Sequence, residues 1–369
     1  MMRAFDIDNS YKMLSPHFHQ RIHKQEPLAR HNAFGTGGTA DLWLTLKTRE
    51  ELAKMVQLCT KENWPLLIVG AGSNILYADA GIRGIVAEMG LSSYDIEPLS
   101  EQEALVLADA GVRWERLLRR TASLGWGGLE FGVGIPGTLG GGVVSNAGSH
   151  TQSLGDVLNW IEVLDARGCN LKTQGEDAVA ILRRYQHAEL ALGYRTSRFR
   201  QQRRATIDAE GHLVLIPRGL IEPGEIVVRL GLHLQREDPG VLTSLIERQK
   251  QARQQAEPEQ RHIGSVFIDP PGRRADELIA QVGLRGACYG KAQISPKDAN
   301  YIVNLGGATS SDILALVVKA HHQVLLHCGV QLELNLELLG EWHTQQVQAV
   351  PIEVSSATAQ ASTEPHPNV

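Results

Sequence analysis

Along the chain the apolar positions change period several times, and each change marks an element. From Arg49 to Trp64, Leu52, Met55, Val56 and Cys59 recur at three- and four-residue steps, which predicts an amphipathic helix. Pro65 ends it, and the apolar run Leu66–Val69 before Gly70 reads as a buried strand. Gly84–Met89, Glu103–Leu107 and Ile161–Asp165 read as further strands, and Trp114–Leu124 as a second helix. Asp238-Pro239-Gly240 is a turn signal that opens a charged helical stretch, Val241–Glu257, closed by Pro258. Two more helices follow at Ala275–Val282 and Ser311–Cys328. The second has Thr309 three residues before Asp312, the spacing of a capping box, and Gly329 just past its end. Val330–Leu339 alternates as a strand does. Residues 1–27 show no clear period and are expected to be irregular. The tail from 344 to 369, rich in Gln, Ala, Ser, Thr and Pro, has little to bury and is expected to be disordered. Helices interleaved with many short strands make the class mixed α and β, with a domain boundary near residue 236.

Length and composition narrow the class. At 369 residues the chain exceeds one ordinary core, so two or three subdomains are expected. A formal net charge of −5 argues against a general nucleic-acid surface. No stretch approaches the ~20 apolar residues of a membrane span, and residues 1–24 lack the apolar centre of a secretory signal. Cys59, Cys169, Cys288 and Cys328 are scattered with no CxxC pair, which fits buried thiols in a reducing compartment and makes the cytoplasm the default. The 14 histidines form no HExxH motif, so no metal is expected.

Two glycine clusters carry the candidate chemistry. Gly70-Ala71-Gly72-Ser73-Asn74 directly follows the Leu66–Val69 strand, where backbone N–H groups can face an anion such as a pyrophosphate. It is not the Rossmann fingerprint, because the third glycine is missing and Asp79-Ala80-Gly81 announces another turn. Alone it fits a structural turn as well as a phosphate site. The second cluster runs from Gly132 through Gly134, Gly137, Thr138, Gly140, Gly141 and Gly142 to Asn146-Ala147-Gly148. Each glycine in regular structure costs roughly 0.5–1 kcal/mol relative to alanine. So dense a run implies a backbone that turns sharply or presses against something. Helix packing is one reading; one extended phosphate-bearing ligand held from both clusters is the other, and it points to a dinucleotide outside the Rossmann class.

Eight blocks in order then define a resemblance. NAFGTGG (32–38), GAGSNIL (70–76), GIPGTLGG (134–141) followed by Asn146-Ala147-Gly148, and GYRTSRF (193–199) are succeeded by GSVF (264–267), GLRG (283–286), GKAQIS (290–295) and ANYIVN (299–304). Over roughly residues 28–342 the chain resembles the UDP-N-acetylenolpyruvoylglucosamine reductase (MurB) family. The resemblance implies an α+β fold: a two-subdomain FAD-binding module of the PCMH/vanillyl-alcohol-oxidase type over 28–235, and a C-terminal α+β substrate domain over 236–343. It implies FAD as cofactor, NADPH as reductant and a UDP-linked enolpyruvyl amino sugar as substrate, reduced to UDP-N-acetylmuramate for peptidoglycan synthesis. FAD is expected at Gly70, Ala71, Gly72, Ser73, Asn74, Ile75, Gly134, Gly137, Thr138, Gly140, Gly141, Asn146, Ala147 and Gly148. A soluble monomer is expected. No block resembles the inserted tyrosine loop of one family branch.

Hydride addition beside a carboxylate leaves an enolate-like carbanion, which needs positive charge at the carboxylate and a proton donor at the adjacent carbon. By motif position Arg195 supplies the first and Ser265 the second, with Tyr194 as a substrate contact. Arg198 and Arg200 are the competing arginines. The family's C-terminal glutamate is absent: alignment on Leu332 and Gly340 places Asn335 there. Glu333 or Glu337, on the same strand face, could stand in, or Asn335 could orient the substrate. A catalytically weakened or inactive FAD-binding paralogue and an FAD oxidase of the same fold are the alternatives. Lys291 and Lys297 are candidates to meet the UDP phosphates.

Overall fold

The computed structural model describes residues 5–18, 21–149, 151–170, 180–200, 205–216 and 219–342. The expected disordered tail therefore lies outside the described residues.

The first subdomain is built on a five-stranded sheet in the order His23–Pro27, Thr39–Leu46, Ile82–Met89, Leu66–Val69, Ile221–Glu222. The first pair is antiparallel and the rest parallel. Strand alternation distributes its side chains. Leu42, Leu44, Leu46, Ile85 and Ala87 enter the large core, whereas Trp43, Leu67, Val69 and Val86 form a small cluster on the other face. The helix Arg49–Glu62 lays Leu52, Met55, Val56 and Cys59 on the large core and ends at Asn63, left-handed at φ 57°. The second subdomain is an antiparallel sheet ordered Ile181–Gln186, Leu158–Asp165, Glu225–Arg236, Glu103–Asp109, Tyr94–Pro98. Its Ala104, Val106, Ile161, Leu230 and Leu232 share the same core, so the two sheets cohere through one apolar interior.

The C-terminal unit has a second large core. A three-stranded antiparallel sheet, Cys288–Tyr289, Ala292–Ile294 and Ile302–Asn304, packs with the helices Ala275–Gln281 and Ser310–Cys328. The capping box is present: Asp312 N–H donates to Thr309 Oγ1 at 3.0 Å, Thr309 N–H donates back to Asp312 at 3.0 Å, and Gly329 closes the helix at φ 64°. The units are also tied across the chain. Asp79 accepts from the N–H groups of Ser310 and Ser311, both at 2.8 Å, and the Asn304 amide donates to Phe34 O at 2.9 Å. The strand Ile75–Tyr77, leaving the first glycine turn, pairs in parallel with Glu337–Leu339.

Several expectations need correcting. The described residues of the 1–27 segment are not irregular: Ile7–Phe18 is a helix that buries Ser10, Leu14 and Phe18, and His23–Pro27 is an edge strand. Ile7, Tyr11, Leu14 and Phe18 follow helical spacing, but the intervening polar residues mask it. The boundary near 236 is displaced as well. The helix Pro239–Ala256 packs against Trp114–Ser123, and its Leu242 side chain lies against Gly127, so it packs with the second subdomain. Conversely the hairpin strands Ala205–Ile207 and Leu213–Leu215 contribute Ala205, Ile207 and Leu213 to the C-terminal core. Finally, Val330–Leu339 is not one strand. Leu334 makes a single bridge with Phe267, and only Glu337–Leu339 forms a ladder, because the segment changes partners midway.

Candidate active site

A cavity of about 390 Å³ lies where the three parts meet, within the usual range for a cofactor site. One wall is Leu67–Ile75, the end of a parallel strand and the glycine turn after it. The opposite wall is Gly134–Pro136, Thr138 and, from the helix Leu139–Ser145, Gly141, Gly142, Val144 and Ser145. The two turns touch directly: a Cβ on Gly137, where φ is 110°, would stand 2.5 Å from Ser73 Oγ, and one on Gly70 would stand 3.0 Å from Thr138 Oγ1.

The three consecutive glycines of the helix have different reasons to be glycine. A Cβ on Gly140 would meet Ala110 Cβ at 2.8 Å, and one on Gly142 would meet the Trp114 indole at 2.9 Å. These two answer to helix packing. Gly141 does not: its nearest neighbour would be Thr138 Oγ1 at 3.6 Å, ordinary contact, whereas Gly142, which lines the cavity with it, is closed off by the indole. Across from it, the N–H groups of Ala71, Gly72, Ser73 and Asn74 donate to no acceptor among the described residues. Unclaimed donors on one side and a methyl-sized clearance on the other are what a bound pyrophosphate group requires, so the residues present fit FAD.

The arginine cluster resolves. Tyr194 and Arg195 form the tip of a two-residue hairpin closed by reciprocal bonds between Gly193 and Thr196 at 3.1 and 3.2 Å. Arg195 sits at φ 53°, an uncommon conformation for a side-chain-bearing residue, and lines the cavity. Arg198 instead donates to Glu225 at 3.2 Å and lies over the Tyr185 ring. Arg200, buried, donates to the carbonyl oxygens of Leu334 and Asn335. The hairpin tip is pinned from the glycine helix: Asn146 Nδ2 donates to Gly193 O at 2.8 Å while its Oδ1 accepts from Gly155 N–H at 2.9 Å, and Ser197 Oγ donates to Val144 O at 2.6 Å. Burial raises the Tyr194 phenol above its ordinary value, with the nearby Asp269 charge adding to it and Arg195 opposing.

Ser265 stands on a segment fixed from both sides. Val266 N–H donates to Asn300 O at 2.8 Å, and Asn335 N–H donates to Val266 O at 2.7 Å. The Asn335 side chain, 7 % exposed, donates through Nδ2 to Ser265 O at 2.9 Å and accepts from Arg200 at 3.1 Å. Beside Ser265 lie His262, Tyr301, Arg253 and Glu257, all lining the cavity. Arg253 Nε donates to Glu257 at 2.9 Å and its Nη1 to Val133 O at 2.9 Å, tying the long helix to the second glycine turn. Burial holds the His262 imidazole below its ordinary value, against the charge of Glu257. The Tyr301 phenol is pushed up to about 12, first by burial and then by Glu257.

Of the residues singled out from sequence, Gly70 to Ile75, Gly134, Thr138, Gly141, Ala147, Gly148, Arg195, Ser265 and Asn335 line the cavity. Gly137, Gly140, Asn146 and Tyr194 are not among its lining residues. The first two are pressed by neighbouring chain, Asn146 is a strut between two backbones, and Tyr194 is 44 % exposed at the hairpin tip. Glu333 is exposed and outside the wall, while Glu337 is in it. Neither Lys291 nor Lys297 lines it, and Lys297 donates to Glu257 O at 3.0 Å. Trp114, Arg253, Glu257 and His262 stand in none of the eight sequence blocks, and Tyr301 stands in ANYIVN (299–304), a block that by itself assigns it no role. Asp208, Glu210 and His212 approach one another on an exposed turn, where the His212 N–H donates to Asp208 Oδ1 at 2.7 Å; that bond accounts for the cluster as a turn.

Fold and cavity fit a flavin-dependent oxidoreductase, the cavity being lined by two subdomains and the C-terminal unit together. Residues 40–174 match the family model of the FAD binding domain, and residues 256–339 that of the UDP-N-acetylenolpyruvoylglucosamine reductase C-terminal domain. The chain is 34% identical over 320 residues to the UDP-N-acetylenolpyruvoylglucosamine reductase of Heliobacterium modesticaldum, covering 86% of this chain and 90% of the relative. To that of Geobacter metallireducens it is 33% identical over 338 residues, covering 90% and 99%. The crystal structure of the Thermus caldophilus enzyme (MurB) superposes with a TM-score of 0.64 at 29% identity, over 86% of this chain and 97% of that one. The chain belongs to the UDP-N-acetylenolpyruvoylglucosamine reductase family, whose members use FAD and NADPH.

Proposed function

We propose that this chain reduces UDP-N-acetyl-3-O-(1-carboxyvinyl)glucosamine to UDP-N-acetylmuramate, in peptidoglycan precursor synthesis, as a cytoplasmic monomer. The observation that carries the reading is convergence: residues from the two glycine turns, the Arg195 hairpin and the Ser265 segment line one cavity. Bound FAD, reduced by NADPH, supplies the hydride. The chain's own residues do the rest. Backbone donors of Ala71–Asn74 take the pyrophosphate, with Gly141 leaving room opposite. Arg195, held in its left-handed turn, binds the substrate carboxylate and the negative charge that grows on it; the planar guanidinium suits a bidentate grip. Ser265 Oγ gives a proton to the adjacent carbon. A hydroxyl is a feeble acid, but the carbanion is a far stronger base, so placement decides.

Asn335 takes the position of the family glutamate and is held there by Arg200 and Ser265 O. An amide in that place orients its neighbours but supplies no carboxyl proton, which favours a slower member of the family as the second reading. Among the described residues no helix is long and apolar enough to cross a membrane.

Anaerobic stopped-flow separates the possibilities. NADPH should bleach the flavin, and the enolpyruvyl sugar nucleotide should restore its absorbance under argon. Restoration only in air identifies an oxidase, and a flavin unresponsive to both reagents ends the reductase reading.

A further inference from the structure

Ser265 and Tyr301 are directly opposed in an antiparallel bridge. Opposed residues project their side chains to the same face, with Cβ atoms roughly 4.5–5.5 Å apart. Both line the cavity. The Tyr301 hydroxyl donates to Glu257 Oε1 at 3.4 Å and stands within hydrogen-bonding reach of the Ser265 side chain. Glu257 is in turn paired with Arg253. The ring is held edge-on by His262, with centroids 5.0 Å apart, so the phenol has little freedom to turn away. A phenylalanine here would fill the same space; only the hydroxyl connects serine to carboxylate.

We propose that Tyr301 is a positioning residue for Ser265, orienting the serine hydroxyl toward the substrate and replacing the proton that Ser265 gives up. The bookkeeping of atoms is simple. The substrate carbanion takes the Ser265 proton and leaves an alkoxide; the alkoxide takes the Tyr301 proton; a hydronium ion from water restores the phenol and leaves a water molecule. No oxidant or reductant enters these steps. The Arg253 guanidinium, shared by Glu257, offsets the negative charge that passes along the row. This rests on the reading of Ser265 as proton donor, and the test keeps the two apart.

Tyr301→Phe preserves the ring and its contact with His262. Its FAD content and thermal midpoint should match those of the unaltered protein, and NADPH should reduce its flavin at an unchanged rate. Reoxidation by the enolpyruvyl sugar nucleotide should slow by roughly a hundredfold, the low end of the range for general acid catalysis. The change should fall on kcat with KM for that substrate nearly constant, and the solvent deuterium isotope effect on reoxidation should change. In a Ser265→Ala background the same substitution should add nothing. If Ser265→Ala reoxidises normally, the donor assignment itself is wrong. If Ser265→Ala is slow while Tyr301→Phe keeps full speed, the relay alone falls. Equal slowing of both half-reactions in Tyr301→Phe would mark a structural disturbance and also overturn it.

Discussion

Gly141→Ala separates what the fold asks of the glycine helix from what the ligand asks. The added methyl would have only Thr138 Oγ1 at 3.6 Å, and position 141 lies within the helix Leu139–Ser145. Alanine is the better helix former by up to about 1 kcal/mol, so FAD-free protein should unfold at equal or slightly higher urea concentration. The methyl would point into the cavity. Overpacking a close contact by one methyl costs about 1–3 kcal/mol, which corresponds to roughly five- to 150-fold weaker FAD binding at about 1.4 kcal/mol per decade. Gly142→Ala is the control. Its methyl would meet the buried Trp114 indole at 2.9–3.2 Å, so it should lose about 1–3 kcal/mol of stability with or without FAD. Fluorescence titration with FAD and urea unfolding of the stripped protein give both numbers. Unchanged FAD affinity in Gly141→Ala, with stability also unchanged, would show that this face of the helix is not against the cofactor.

Ser265→Ala should retain FAD and be reduced by NADPH at the normal rate, while substrate-driven reoxidation slows by at least about a hundredfold, read by double-mixing stopped-flow. Asn335→Glu places a carboxylate beside the buried Arg200 guanidinium, which now bonds the Asn335 side chain at 3.1 Å; a faster turnover in steady-state assays would identify Asn335 as a natural weakening, and a slower one would show the amide to be the adapted group. His321 is fully buried with both ring nitrogens unpartnered among the described residues, and its pKa is lowered, chiefly by burial and then by His322, with Asp208 opposing. A lowered histidine pKa means that the unfolded chain binds the extra proton first, so stability is lost as pH falls through the ordinary value of about 6.5. His321→Leu should therefore gain roughly 1–3 kcal/mol at neutral pH and more at pH 5.5, measured by urea unfolding at both.

The Gly70–Asn74 and Gly134–Gly148 clusters, Arg195, Ser265 and the departure at Asn335 were all legible as sequence, because glycine density, motif order and a missing carboxylate are properties of the string. So were the helices Arg49–Glu62 and Ser310–Cys328, whose apolar spacing and caps are local. The helix Ile7–Phe18 and the strand Glu225–Arg236 escaped notice: the first hides a helical stripe among polar residues, while the second does alternate, with Ile226, Val228, Leu230, Leu232 and Leu234 on one face, and was legible but not read. Tertiary structure added what engages the competing arginines, since Arg198 is paired with Glu225 and Arg200 with carbonyl oxygens far away in the chain. It alone divided the glycines into those pressed by Ala110 and Trp114 and the one left open. It alone set Glu257 and Tyr301 beside Ser265, because hydrogen bonds and packed rings join residues by distance in space, and spacing along a chain carries no record of that distance once it turns back on itself.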